Sequence, residues 1–407
     1  MKALDSFFPS YRLATYEVLQ AFGPRTSEHW PSRLVFDRLI AGHDAEIIWR
    51  AVLLRRLGLL EADDWVSACA WVNGHVEEAE RRLLAHDRQR AEQDRPALVV
   101  FDGLDQVASR WVDIYALLRG LLRLIADLRL FRGVRAKAFL RHDMVKQEAA
   151  TGFTDASKLL TGAVNLDWPV RDLYGALFQR LGNAADAAGE YFRDASAAMV
   201  GSPWVSTGTS WRPPAALRQD EAAQRSVLSA ITGPWAGRNQ RRGVTYTWLP
   251  AHLADAYDKV SPRSLFAALH AAAAADAAQA SGDGSFPIPW QAVREGVKVA
   301  SQVRVDELCK EEYPWVRAVL EPLRGQEVPI EAGRIVELWA AHTTLGRLGS
   351  QQDERHRPAR LAEGERAVVD ELVTLGIFSR NSDGRLQMPD LYRVAFGLRR
   401  RGLPPVQ

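Results

Sequence analysis

Apolar residues in this chain recur first at helical spacing and then in short unbroken runs, and the alternation sets the expected fold. Residues 11–22 (YRLATYEVLQAF) suit either a strand or a short helix, because period alone does not separate the two. Residues 43–60 have apolar positions at helical spacing and run out near Gly58, which predicts a helix. A second helical stretch covers residues 63–93, highly charged in its second half. The pattern then changes. Residues 97–101 (ALVVF) form a continuous apolar run of strand length, bounded by Pro96 and by Asp102-Gly103. Next, residues 109–131 place Trp111, Tyr115, Leu118, Leu122, Ile125 and Leu128 along one stripe of an amphipathic helix. Residues 134–140 read as a further strand and residues 163–166 (AVNL) as another. A helix over residues 169–181 follows, with Pro169 suited to its first turn. Strands alternating with helices of this length predict parallel strands joined by crossovers, hence an α/β core.

Beyond residue 182 the expected elements are helices over residues 219–231, 250–257, 262–281 and 289–323, the last broken at Pro314. Residues 201–214 are a loop by composition, and residues 282–289 (GDGSFPIP) mark a boundary within the helical part. The tail changes character again. A helix over residues 363–375 precedes a hairpin over residues 377–388, whose Asp383-Gly384 pair suits a tight turn. A final helix starts at Pro389-Asp390 and runs into Arg399-Arg400-Arg401, giving a winged-helix shape. The expected domains are an α/β core over residues 1–182, a helical lid over 183–285, and a helical region ending in a winged-helix-like domain over 286–407.

Composition narrows the classes. A formal charge of +2 on 407 residues argues against a protein that coats nucleic acid, although a local basic face is compatible with it. The 45 Arg against 7 Lys match what a GC-rich genome produces. Two cysteines, Cys69 and Cys309, support neither a disulfide framework nor a cysteine zinc site. No apolar run reaches about 18 residues, and the first residues lack the apolar core of a secretory signal. A cytoplasmic protein with no membrane partner is the expectation. No H-E-x-x-H spacing and no G-x-S-x-G elbow occurs. Trp204 and Trp211, in the loop by composition, suggest an exposed aromatic patch. The basic stretch at residues 238–242 reads as a solvated loop.

The segment richest in chemistry is ALVVFDGLDQV, residues 97–107. An aspartate at the carboxyl end of a buried strand lies where open α/β sheets bind ligands. Asp102 there would hold a magnesium ion on a nucleotide, and Asp105 would orient or deprotonate an attacking water. Arg141, at the end of the next strand, would reach a γ-phosphate. The plainer alternatives are a strand with a capped turn, and an arginine satisfied by Asp143 or by solvent.

On the segments HDAEIIWRAVLLRRL, LVVFDGLDQVASRW, RAKAFLRHDM, FTDASKLLTGAVNLDWPVRDLYGALFQRL and GVTYTWLPAHLADAYDKVSPRSLFAAL, the chain resembles bacterial P-loop ATPases related to the STAND and AAA-type classes. The likeness covers residues 40–275. It implies a P-loop NTPase-like parallel sheet flanked by helices, ATP with Mg2+ as cofactors, and Arg263 in a helical lid where it approaches the nucleotide. It also implies a protein partner or a homo-oligomer, and a place in bacterial defence or signalling. One departure matters: the chain has no Gly-Lys pair and so no G-x-x-x-x-G-K-[ST] loop. In the family that loop precedes the region matching Met1, so a truncated start, a partner chain that supplies the loop, and a degenerate member are the three explanations. A nucleotide switch, a non-catalytic adaptor, and a DNA-binding regulator using the basic tail are the corresponding functions. Residues 355–401 carry ten Arg and six acidic residues.

Overall fold

The computed structural model describes residues 16–23, 27–279 and 286–400. By internal packing the chain separates into two compact units, residues 1–164 and 165–407. The protein is mixed α/β, with a small parallel sheet and many helices.

The first unit is built on three strands, β1 (Glu17–Phe22), β2 (Ala97–Phe101) and β3 (Val134–Ala138), all parallel, with β2 in the centre. Four helices lie between them: α1 (Arg33–Ile40), α2 (Ala45–Arg56), α3 (Trp65–Gly74) and α4 (Val76–Glu92). A fifth, α5 (Trp111–Leu128), connects β2 to β3. β1 accounts for the described part of the stretch whose period was ambiguous; residues 11–15 lie outside the described residues. The predicted helical stretch over residues 63–93 divides into α3 and α4 at His75, whose backbone leaves the helical region at φ −135°, ψ 45°. Asp44 and Asp64 start α2 and α3 by accepting the Glu46 and Ser67 N–H groups.

Side chains alternate across the sheet. Ala97, Val99 and Phe101 are fully buried, with Trp49 of α2 edge-on to Phe101 at 5.4 Å. Phe22 and Phe36 extend this aromatic cluster, and the Trp49 indole N–H is satisfied by the Leu117 carbonyl at 2.8 Å. The opposite row, Val18, Leu98 and Val100, is only partly covered, and Val18 is 50% exposed. Helices therefore seal one face of the sheet and leave the other half open. Where β3 begins, Asp87 of α4 accepts three successive backbone N–H groups, from Arg132, Gly133 and Val134, at 3.0, 2.6 and 2.9 Å.

The strand expected at residues 163–166 does not form. Val164 and Leu166 are 77% and 71% exposed, and no ladder partner pairs with them among the described residues. Apolar alternation marks a segment that suits a sheet, but only a neighbouring strand makes it one.

The second unit is largely helical. Helices α6 (Val170–Gly182) and α7 (Asp186–Val200) precede a two-residue-per-strand hairpin, β4 (Val205–Ser206) with β5 (Trp211–Arg212). Helices α8 (Glu221–Thr232), α9 (Thr245–Leu253), α10 (Pro262–Gln279) and α11 (Trp290–Glu307) follow. The helix expected from residue 250 to 257 is α9, displaced toward the N-terminus so that Pro250 falls in its last turns. Of the expected boundary at 282–289, residues 282–285 lie outside the described residues.

The core near α6 holds Tyr174, Phe178, Trp204, Leu228 and Tyr246. Gln224 is fully buried among them, donating to the Arg171 and Leu217 carbonyls and accepting from the Tyr246 hydroxyl at 2.7 Å. Trp204 therefore belongs to the core rather than to an aromatic surface patch; its indole N–H donates to Ser196 Oγ at 3.0 Å. Trp211 is part-exposed under the Arg193 guanidinium.

The unit ends with α12 (Trp315–Leu320), β6 (Glu327–Val328), α13 (Ala332–Ala341), α14 (Glu365–Thr374), the hairpin β7 (Ser379–Arg380) and β8 (Leu386–Gln387), α15 (Asp390–Phe396) and β9 (Arg399–Arg400). The hairpin is the predicted one, and of its turn pair Gly384 carries the positive φ. The final helix does not run on into the arginines. Gly397 stops it in the left-handed region at φ 69°, and Arg399–Arg400 pair in parallel with β6. Arg401 lies outside the described residues. Beneath α14, Glu371 is 3% exposed and accepts the backbone N–H groups of Ala359 and Arg360, each at 3.0 Å. Burial pushes its pKa up despite those donors.

Candidate functional site

The carboxyl ends of β2 and β3 gather Asp102, Asp105 and Arg141 within the first unit. β2 stops where the Asp102 N–H donates to the Phe22 carbonyl at 3.1 Å. The Asp102 side chain is exposed, and its Oδ1 accepts the N–H of Gly103 at 2.8 Å. Gly103 takes φ 69°, a turn that residues with a Cβ rarely make, and it leads into a 3-10 turn over Leu104–Gln106. Leu104 anchors that turn in the core at 2% exposure, while Asp105 stays half-buried at the surface.

Arg141 follows β3. Its Nη1 lies 3.7 Å from Asp105 Oδ2, and its Nε and Nη2 donate to Asp143 at 3.1 and 3.3 Å. Two features anticipated separately, the aspartate after one strand and the arginine after the next, thus meet as an ion pair. The plainer expectation for Arg141, satisfaction by Asp143, also holds, so the guanidinium is shared between two carboxylates. Neighbouring anchors were not anticipated. Asp37 of α1 accepts both the N–H and the hydroxyl of Ser109, at 2.7 and 2.6 Å, and so fixes the loop after β2 to α1. No local motif signals Asp37, because its partner lies 72 residues away.

Arg263 belongs to the second unit, in the first turn of α10. Its Nη1 donates to Glu307 Oε1 at 3.1 Å, and its side chain is 75% exposed. It borders a cavity of about 470 Å³ within that unit, with Lys259, Ser264, Arg304, Glu307 and Tyr392 also in the wall. Lys259 pairs with Asp167 at 2.6 Å. Arg304 is bound to Glu312 at 2.5 Å. Burial works against its charge, but Tyr392 and Glu312 outweigh that and hold its pKa above the ordinary arginine range. Sequence reading found Arg263 and missed the rest of this wall, whose residues converge from segments far apart in the chain.

No group of three or more metal-binding side chains occurs among the described residues. No helix among them is long and apolar enough to cross a membrane. Both cysteines are free and buried, and burial pushes each thiol up to about 11.

No protein-family model and no curated protein matches the chain. Among solved structures, the ORC2 protein of Aeropyrum pernix, described as ADPNP-ADP complexes, is 12% identical, with 94% of this chain and 80% of that one covered. Cdc6p from Pyrobaculum aerophilum is 13% identical, with 97% and 82% covered. The TM-scores are 0.27 and 0.28, which carry no argument about function.

Proposed function

We propose that the chain is a nucleotide-dependent switch or regulatory subunit of the P-loop ATPase class, whose phosphate-cradling loop comes from another chain. The observation that carries this reading is the grouping of Asp102, Asp105 and Arg141 at the carboxyl ends of adjacent parallel strands, where α/β sheets bind ligands. A magnesium ion on a nucleotide typically uses one or two protein carboxylates, with phosphate and water oxygens completing the shell. An exposed Asp102 suits that division, and a cluster of three metal ligands is not required. Asp102 would hold the magnesium ion, Asp105 would orient water, and Arg141, released from Asp143, would meet the γ-phosphate. Arg263, on an exposed first turn of α10, would approach the nucleotide from the lid. The absent Gly-Lys loop is the part of the site that this sequence does not fit, which is why hydrolysis is assigned to an assembly, a homo-oligomer or a complex with a protein partner.

The test is titration calorimetry of Mg-ATP into the protein, with Asp102→Ala alongside. Micromolar binding that the variant abolishes supports the switch; binding that survives the variant removes Asp102 from the site. Absence of binding favours the second reading, a non-catalytic adaptor that keeps the fold. The double commitment of Arg141 to Asp105 and Asp143 supports that alternative.

The C-terminal order of helices and hairpin suits a winged helix, with DNA as its ligand through Arg399 and Arg400, both exposed on β9. Against a dedicated DNA surface, the hairpin arginines Arg380 and Arg385 are each paired with an aspartate, Asp370 and Asp383. A cytoplasmic location and a role in bacterial defence or signalling rest on the family resemblance alone.

A further inference from the structure

β3 forms one side of the sheet, and its bonds to β2 use alternate residues. The Ala97 N–H donates to the Gly133 carbonyl at 2.7 Å, and the Phe139 N–H donates to the Phe101 carbonyl at 2.9 Å. With Ala97 opposite Val134 and Phe101 opposite Ala138, the odd-numbered residues turn their amide groups toward β2. Val134, Ala136 and Ala138 turn theirs outward. Asp87 takes the Val134 N–H. The N–H and C=O of Ala136 and the N–H of Ala138 have no hydrogen-bond partner among the described residues.

Beside this edge runs the half-open face of the sheet. Val18, Leu98 and Val100 lie on it, and Arg135 and Lys137 project from the same side of β3. Arg135 donates to the Arg129 carbonyl, and exposed Lys137 makes no ion pair among the described residues. Parallel sheets are found almost always with both faces covered, and an unpaired edge is a template for another strand.

We infer that the β3 edge docks an extended segment of a partner protein that carries carboxylates at alternate positions. Those carboxylates lie beside Arg135 and Lys137, while the intervening apolar residues continue the row of Val134, Ala136 and Ala138. A second copy of this chain is the poorer occupant, because its own Arg135 and Lys137 would meet these two, and like charges on adjacent strands repel. Asp87 sets where pairing starts, since with the Val134 N–H already taken, the first open donor is Ala136. This surface is independent of the nucleotide reading, and its test contains no nucleotide.

The experiment is fluorescence anisotropy with a labelled octapeptide of alternating Val and Glu, in magnesium-free buffer, against the full chain. Saturable binding is expected, weakened at least tenfold by Ala136→Pro. A proline at 136 removes only an outward N–H, so the ladder to β2 keeps its bonds and the far-UV circular dichroism stays unchanged. The double variant Arg135→Glu with Lys137→Glu is expected to reverse the preference toward a Val–Lys octapeptide, and it tests the idea on its own if the proline variant misfolds. Equal binding of both peptides to the wild type, binding indifferent to Ala136→Pro, or no binding of the Val–Glu peptide overturns the proposal. So does a dimer in sedimentation equilibrium that Ala136→Pro dissolves, which would make a second copy the occupant.

Discussion

The two charged clusters of this protein are built from similar groups and behave as opposites. In the second unit Arg304 is drawn inward, held by Glu312 and Tyr392, and its charge is committed to the fold. In the first unit Asp102 stands exposed at a strand end, and Arg141 divides itself between Asp105 and Asp143. A buried charge with its partners in place leaves little capacity for a ligand. An exposed charge costs the fold little and stays available, so exposure and incomplete commitment, rather than charge density, mark the candidate site.

Removing charges one at a time sharpens that contrast. The largest effect is expected from Arg304→Met, which leaves Glu312 half-buried without its cation; breaking such a pair costs about 3 kcal/mol, read as a fall in thermal midpoint. A middle effect is expected at Glu371, another inward group. Its folded pKa is raised by burial, so its contribution to stability is fully present below the ordinary glutamate value and is lost as pH rises through the folded value. Stability measured by urea melts should therefore fall with rising pH through that window in the wild type, and the slope should flatten in Glu371→Gln. The smallest effect belongs to Asp102→Ala, expected to change stability by less than about 0.5 kcal/mol, as exposed positions do. A large loss at Asp102, or none at Arg304, would erase the distinction between the clusters.

How much of this was legible in the sequence depended on the distance between the residues concerned. β2 and α5 were readable because each declares itself within its own span, by a continuous apolar run and by one long stripe. The run at residues 163–166 carried the same kind of signal and forms no strand, because pairing is a property of two segments. Trp204 was misread for a related reason: its loop is polar by composition, and only Phe178, Tyr246 and Ser196 from other helices make it core. At the site, Asp102 and Asp105 followed from local pattern, and so did the Asp143 alternative for Arg141. The wall around Arg263 did not, since Lys259, Arg304 and Tyr392 share no spacing rule.

Asp87 has a consequence for anyone who would cut, tag or permute this chain. One carboxylate pins the three residues that open β3, so the connection from α5 into the strand is a poor place for a new terminus, even though it lies at the surface between two elements. A protein reopened at residues 131–134 would lose the stop that fixes where the strand begins, and its edge would be free to slide. The exposed stretch at residues 163–166, tied into no ladder, is the better place for a break.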